Sequence, residues 1–273
     1  VILWVAWLWK WLNRDYSFLS HPLDYFVLAF PAVYLISAFQ AANHGLALDE
    51  VVKTTLYFTV YWLTSRLVRS DQEAGTILGV IYLGAVGVAL AGLATATGLV
   101  QIKDGFLGGR IYSTFQYPNA LASYLAAAVF TGLYLWRRAG TPGSNGFNPI
   151  IKEMPDWLSR AKLKPYLYAA GNFLLFAVLL GTRSNGGLLV FSFVFVLYLI
   201  GLPKGNRIPV FLHIFLFGVP AFVAIWRFLS SVSSGRPGLA WLWIIAGFAL
   251  ACLGQFLYSS LERRGLFQWI AAH

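Results

Sequence analysis

The sequence predicts an all-α fold, a polytopic bundle of transmembrane helices, and three observations point there. Of 273 residues, 59% are hydrophobic and 11% charged, where a soluble domain is about a quarter charged. The chain is a ladder of apolar runs, several close to the ~20 residues that cross ~30 Å of hydrocarbon. Lys and Arg fall between the runs and alternate in density, as loops on the two sides of a bilayer do.

The first run, Val1–Leu12, reads as the tail of a span, because at ~1.5 Å per residue it is too short to cross alone. It has neither a basic leader nor a small-residue cleavage site, so it does not read as a signal peptide. Further spans are expected over Leu23–Phe39, Val51–Val68, Thr76–Thr97, Asn119–Trp136, Tyr166–Gly181, Gly187–Leu202, Val210–Trp226 and Leu239–Tyr258. That makes about eight or nine spans in a single transmembrane domain, residues 1–273. The chain opens with Val inside an apolar run and stops after Phe267–His273, so a fragment truncated at both ends is expected.

The formal charge is +10. In a soluble protein that would raise nucleic acid as a partner. Here the basic residues sit between spans, so they read as topology signals and contacts to anionic headgroups, with the bilayer as partner and no nucleic acid. Fourteen of the 20 Lys and Arg fall in one alternating set of connections: Lys10 and Arg14, Arg66 and Arg69, six within Arg137–Lys164, Lys204 and Arg207, and Arg263 and Arg264. The other set holds Lys53, Lys103, Arg110, Arg183, Arg227 and Arg236. The richer set is expected in the cytoplasm. The loops at Gln40–Glu50, Gly98–Pro118, Thr182–Gly186 and Arg227–Gly238 then face outward. The lone Cys252 can form no internal disulfide.

The cytoplasmic connection, residues 137–165, carries Ile150, Ile151, Met154, Trp157, Leu158 and Ala161 at spacings of three and four, with Lys152, Arg160 and Lys162 off that stripe. A helix lying on the inner leaflet is expected over Ile150–Lys162, after a turn-rich Gly140–Pro149 linker. Trp4, Trp7 and Trp11 share a helical face and read as interfacial anchors.

Two outer motifs can carry chemistry. The first is Arg110-Ile-Tyr-Ser113-Thr114-Phe-Gln-Tyr-Pro118-Asn119, a loop that leads directly into a span. It offers a guanidinium, the hydroxyls of Ser113 and Thr114, the amide of Asn119 and the free N–H groups of a helix start, together a cradle for an anion. Ser113, Thr114 and Asn119 are also residue types that cap helices. The second is Thr182-Arg183-Ser184-Asn185-Gly186, a turn too short to carry Arg183 far into solvent. Its guanidinium must reach headgroup phosphate or lean into the bundle, where a charge marks a substrate path. Both arginines run against the charge bias, and an anion for them to hold explains that.

The chain here resembles the O-antigen ligase and O-antigen polymerase superfamily of membrane glycosyltransferases. The resemblance rests on the S-T-F-x-x-P-N-x-L-A-x-Y-L pattern within Arg110–Leu125 and on Thr182-Arg183-Ser184-Asn185-Gly186, which is similar to the family's S-R-G turn. Segment Leu23–Asn43 and the span count support it. It implies a fold of the GT-C kind in the inner (plasma) membrane, and transfer of a glycan from a polyprenyl diphosphate carrier to a glycan or lipid acceptor on the outer face. By position, Arg110 and Arg183 match the arginines that bind the diphosphate, with Ser113, Thr114, Asn119 and Ser184 in support. Guanidinium can neutralise the leaving diphosphate, so neither metal nor cofactor is expected, and no carboxylate cluster of metal-ligand type is seen.

One departure matters. The family carries a large late outer loop with further Arg and a His. Here that loop, Arg227–Gly238, is short and offers only Arg227 and Arg236. His44 lies in an earlier outer loop, His21 and His213 fall toward the cytoplasmic side, and His273 is terminal. No general base is assigned. Two other classes stay open: a transporter or flippase of an anionic lipid-linked substrate, and a catalytically silent membrane scaffold.

Overall fold

A computed structural model describes residues 21–139 and 160–263, together with Leu8, Trp11 and Leu12. The described chain is all-α apart from one hairpin of two-residue strands. Its helices are α1 (Pro22–Ala38), α2 (His44–Leu67), α3 (Asp71–Ala96), α4 (Pro118–Ala139), α5 (Arg160–Gly181), α6 (Asn185–Gly201), α7 (Lys204–Ser233) and α8 (Pro237–Arg263). Between α3 and α4 stand β1 (Phe106–Leu107), β2 (Arg110–Ile111) and a 3-10 turn, Ser113–Phe115. The expected all-α fold is therefore found.

Five of the described helices are long and apolar enough to cross a membrane: Asp71–Ala96, Pro118–Ala139, Leu163–Gly181, Lys204–Ser233 and Pro237–Glu262. The expected spans at Leu23–Phe39 and Gly187–Leu202 are apolar helices of 17 residues. The segment expected at Val51–Val68 is helical but is not among the five, because α2 carries Asp49, Glu50, Lys53 and Arg66 along its 24 residues. Several helices outrun their expected bounds, since polar flanks such as Lys204–Arg207 and Ser230–Ser233 stay helical. Most of Val1–Leu12 and of the Ile150–Lys162 stripe lies outside the described residues; within the latter, Arg160–Lys162 opens α5.

Large apolar side chains point outward along these helices, among them Leu189, Phe193 and Ile200 on α6, Phe215, Val219 and Phe222 on α7, and Ile245, Leu250 and Leu253 on α8. Water would not tolerate so much contiguous apolar surface, and lipid requires it. The chain is a membrane protein.

By packing, the chain has two compact units, residues 1–74 and 75–273. In the first, α1 packs on α2. Pro22 sits in the first turn of α1, and the carboxylate of Asp24 accepts from the His21 backbone N–H at 2.9 Å. That carboxylate is fully buried, accepts from the Tyr61 hydroxyl at 2.9 Å and pairs with Arg66 Nη2. Burying an ion costs several kcal/mol unless its partners are in place, so this triad sets the register of the helix pair. Asn43 caps α2 by accepting from Leu46 N at 3.2 Å.

In the second unit α5 is central and packs on α4, α7 and α8. Its Phe173, Leu175, Val178 and Leu179 are buried, facing Leu125 and Val129 of α4 and Phe217, Ala221 and Ile225 of α7. Small residues let these helices approach, as they do generally in membranes. A Cβ at Gly247 of α8 would stand 2.7 Å from Ala224 and from the Phe173 ring. Tyr82 of α3 fits its ring against Gly132 and Gly171, and its hydroxyl meets Asn172 Oδ1 and the Tyr168 carbonyl, each at 3.1 Å.

The unit has two distinct ends. At one, the 97–117 loop meets the 182–184 turn, and Trp241 Nε1 of α8 donates to Thr97 Oγ1 at 3.2 Å. At the other, Trp136 Nε1 donates to Gln255 Oε1 at 2.9 Å, Arg137 Nε donates to Asn206 Oδ1 at 3.0 Å, and Arg137 pairs with Glu262 at 3.1 Å. Within this unit, the loops that charge alternation assigned to one side do share one end.

Candidate anion-binding site

The 97–117 loop is a built structure. Gly108 and Gly109 have φ of 56° and 70° and close the β1–β2 hairpin. Two successive positive φ values suit the twist of a tight hairpin, and glycine adopts them without strain. The hairpin is pinned at Ile111, which is fully buried. Its side chain fills a notch where Gly92 of α3 and Gly181 of α5 lack side chains; a Cβ at those positions would stand 2.7 and 2.8 Å from it. One residue on, the Tyr112 and Ser113 N–H groups both donate to the Gly105 carbonyl, at 2.8 and 2.9 Å.

Four non-glycine residues have φ near +50°: Asp104, Ser113, Gln116 and Arg183. Three lie in this loop and the fourth in the turn packed against it. Each such residue costs on the order of 1–3 kcal/mol, and such strain collects at functional sites.

Arg110 leaves β2 half-buried, and its Nε donates to the Thr182 carbonyl at 2.9 Å across 72 positions of sequence. Its guanidinium lies 5.9 Å from the centroid of the Tyr112 ring. Arg183 answers from the other side: a Cβ at Gly109 would stand 3.3 Å from Arg183 Nη1. Each arginine therefore rests against the residue next to the other. Neither makes an ion pair among the described residues.

The turn bearing Arg183 is held from below. Thr182 is buried; its hydroxyl donates to the Leu179 carbonyl at 2.7 Å and accepts from Ser184 N at 3.3 Å. Ser184 caps α6 by accepting from Gly187 N at 3.1 Å, and its own hydroxyl donates to Asn119 Oδ1 at 3.0 Å. Asn119 in turn donates from Nδ2 to the Tyr117 hydroxyl at 3.1 Å. The N-terminus of α4, opened by Pro118, and that of α6 are thus tied together beside the two arginines. Both present free N–H groups and the positive end of a helix dipole.

The residues expected to cradle an anion divide. Arg110, Arg183, Asn119 and Ser184 come together, and Thr114 is exposed in the 3-10 turn. Ser113 does something else: it is fully buried and its hydroxyl donates to the Val88 carbonyl of α3 at 2.7 Å, so it anchors the loop. Arg227 is not in the loop that follows α7, which spans only residues 234–236. It lies on α7 with its guanidinium 5.4 Å from the centroid of the Trp243 ring. His213 is buried in α7 and stacks on Trp136 with centroids 3.7 Å apart.

Arg183 also opens onto a cavity of about 610 Å³ between α6 and α7. Asn185, Ser230 and Ser233 give it a polar rim, and Leu188, Phe222, Trp226 and Leu229 wall it with apolar surface. These lining residues escaped the sequence reading, although the Ser230-Ser231-Val232-Ser233-Ser234 run at the end of an apolar span was a visible signal.

Fold and site together define a class: a helical membrane protein with two arginines that have no acidic partner among the described residues, beside paired helix N-termini. The chain matches no protein-family model, no curated protein and no solved structure.

Proposed function

We propose that this protein is a membrane glycosyltransferase that takes a glycan from a polyprenyl diphosphate carrier and passes it to an acceptor at the outer face. The observation that carries the reading is the mutual seating of Arg110 and Arg183, each against the other's neighbour and neither with an acidic partner among the described residues. Two guanidinium groups beside two helix N-termini, Arg110 held by the Thr182 carbonyl and Arg183 exposed, suit a diphosphate, with its two adjacent anionic centres. The cavity beside Arg183 adds a polar rim over apolar walls, the profile of a lipid phosphate whose tail continues into the bilayer.

In this scheme the arginines grip the diphosphate in the ground state. As the bond from sugar to diphosphate breaks, negative charge grows on the leaving oxygen, and the preorganised donors stabilise it. Arg is better suited than Lys because its planar fork meets phosphate oxygens bidentately.

The test has two readouts. Polyprenyl diphosphate should bind the purified wild-type protein, and Arg110→Ala or Arg183→Ala should weaken binding by roughly tenfold or more, the worth of one charge-assisted contact. In membranes, glycan transfer by each variant should fall at matched abundance, and Lys should restore it only in part. Wild-type binding and transfer by both Ala variants would remove the assignment.

A further inference from the structure

We infer that the groove between α6 and α7 at the opposite end of the second unit is a binding site for an anionic phospholipid of the inner leaflet. The inference is independent of the outer site and uses none of its residues. A groove of about 380 Å³ is lined by Val196, Leu199, Ile200, Ile208 and Phe211, with Arg207 as its polar member. Arg207 is held rigidly. Its Nε donates to the Leu202 carbonyl at 2.9 Å and its Nη2 to the Ile200 carbonyl at 2.7 Å, which satisfies two carbonyls at the end of α6. Those bonds point Nη1 away from the backbone, and it makes no hydrogen bond among the described residues.

The occupant follows from chemistry. A fixed guanidinium at the mouth of an apolar groove matches an amphiphile with an anionic head and a hydrocarbon tail. Lys204 is exposed three residues earlier in the same first turn of α7, so a second cation reaches the same head. At this end Arg137 of α4 has its charge met by Glu262 of α8, whereas neither Lys204 nor Arg207 makes an ion pair among the described residues. Charge alternation assigns this end to the cytoplasmic side, where anionic lipids concentrate and basic pockets between helices take their headgroups. The acyl chain would lie along Leu199, Ile208 and Phe211, surfaces that lipid must cover in any case.

Native mass spectrometry of the full chain in mild detergent tests this, with dioleoylphosphatidylglycerol and dioleoylphosphatidylcholine added at equal concentration. The wild type should retain the anionic lipid about tenfold more than the zwitterionic one, the worth of one charge-assisted contact. Lys204→Gln, which touches no helix cap, should reduce that preference, and Arg207→Gln should abolish it. Leu199→Trp, which fills the groove and leaves both charges in place, should lower retention of both lipids. Equal retention by the wild type, a preference that survives Arg207→Gln, unchanged retention by Leu199→Trp, or a dimer that excludes lipid would each overturn the inference. Should Arg207→Gln fail to fold, Lys204→Gln and Leu199→Trp decide the matter.

Discussion

Arg137 at one end of the second unit and the Arg110–Arg183 pair at the other are held in opposite ways. At the end of α4, Arg137 is neutralised by Glu262 and further held by Asn206, while Trp136, beside it, donates to Gln255. At the other end, Arg110 and Arg183 are placed by backbone contacts: a carbonyl for one, a glycine for the other. The first arrangement completes its charge balance within the protein. The second leaves two positive charges without an acidic partner among the described residues, on a loop and turn that hold four strained residues. Strained backbone around cations that have no acidic partner among the described residues is the basis on which an external anion is proposed.

The sharpest way to break this contrast is the double substitution Arg110→Ala with Arg183→Ala. It should cut affinity for polyprenyl diphosphate by a hundredfold or more, on the order of 1.5–3 kcal/mol for each charge-assisted bond lost. The unfolding midpoint in detergent should fall by no more than the Arg110 bond to the Thr182 carbonyl contributes, because neither side chain closes an ion pair among the described residues. A large fall in the unfolding midpoint would show that the pair is structural.

Next in size is the notch under the hairpin. Gly181→Val or Gly92→Val would drive a side chain into Ile111, since a Cβ alone already falls within 3 Å of it. Overpacking costs about 1–3 kcal/mol. Because Ile111 positions Arg110, diphosphate affinity should fall along with the unfolding midpoint. If stability fell and affinity held, the hairpin would not position the arginine.

Arg183→Gly should separate strain from function. Glycine adopts φ of 50° freely, so the variant should gain about 1 kcal/mol of stability while losing diphosphate binding. A loss of stability would mean that the guanidinium contributes more to the fold than its backbone costs.

The smallest effect belongs to the paired end. Glu262→Gln removes an ion pair whose partners are roughly a third exposed. Such pairs contribute under about 1 kcal/mol. Its unfolding midpoint should shift little, and less in high salt, with diphosphate binding at the proposed Arg110–Arg183 site unchanged.

Part of this was legible in the chain. Runs such as Thr76–Thr97 and Leu239–Tyr258 announce helices because only a helix satisfies its own backbone in hydrocarbon. Arg110 and Arg183 stood out because they oppose the charge bias. Asp24 was overlooked: a single carboxylate at the head of an apolar run carries little local signal, and its partners Tyr61 and Arg66 come from the next helix. Ser113 looked like a donor for a ligand because its residue type fits; only the packing against α3 shows its hydroxyl taken by Val88.

By itself the sequence determined the helical class, the membrane environment and the two arginine motifs, because those depend on composition, periodicity and charge along the chain. Tertiary structure alone decided that the motifs meet. Ile111 seats between glycines of α3 and α5, the Thr182 carbonyl receives Arg110, and Ser184 bonds Asn119 across helix starts. These contacts join residues far apart in sequence through close packing, and no local pattern encodes which small residue will face which side chain.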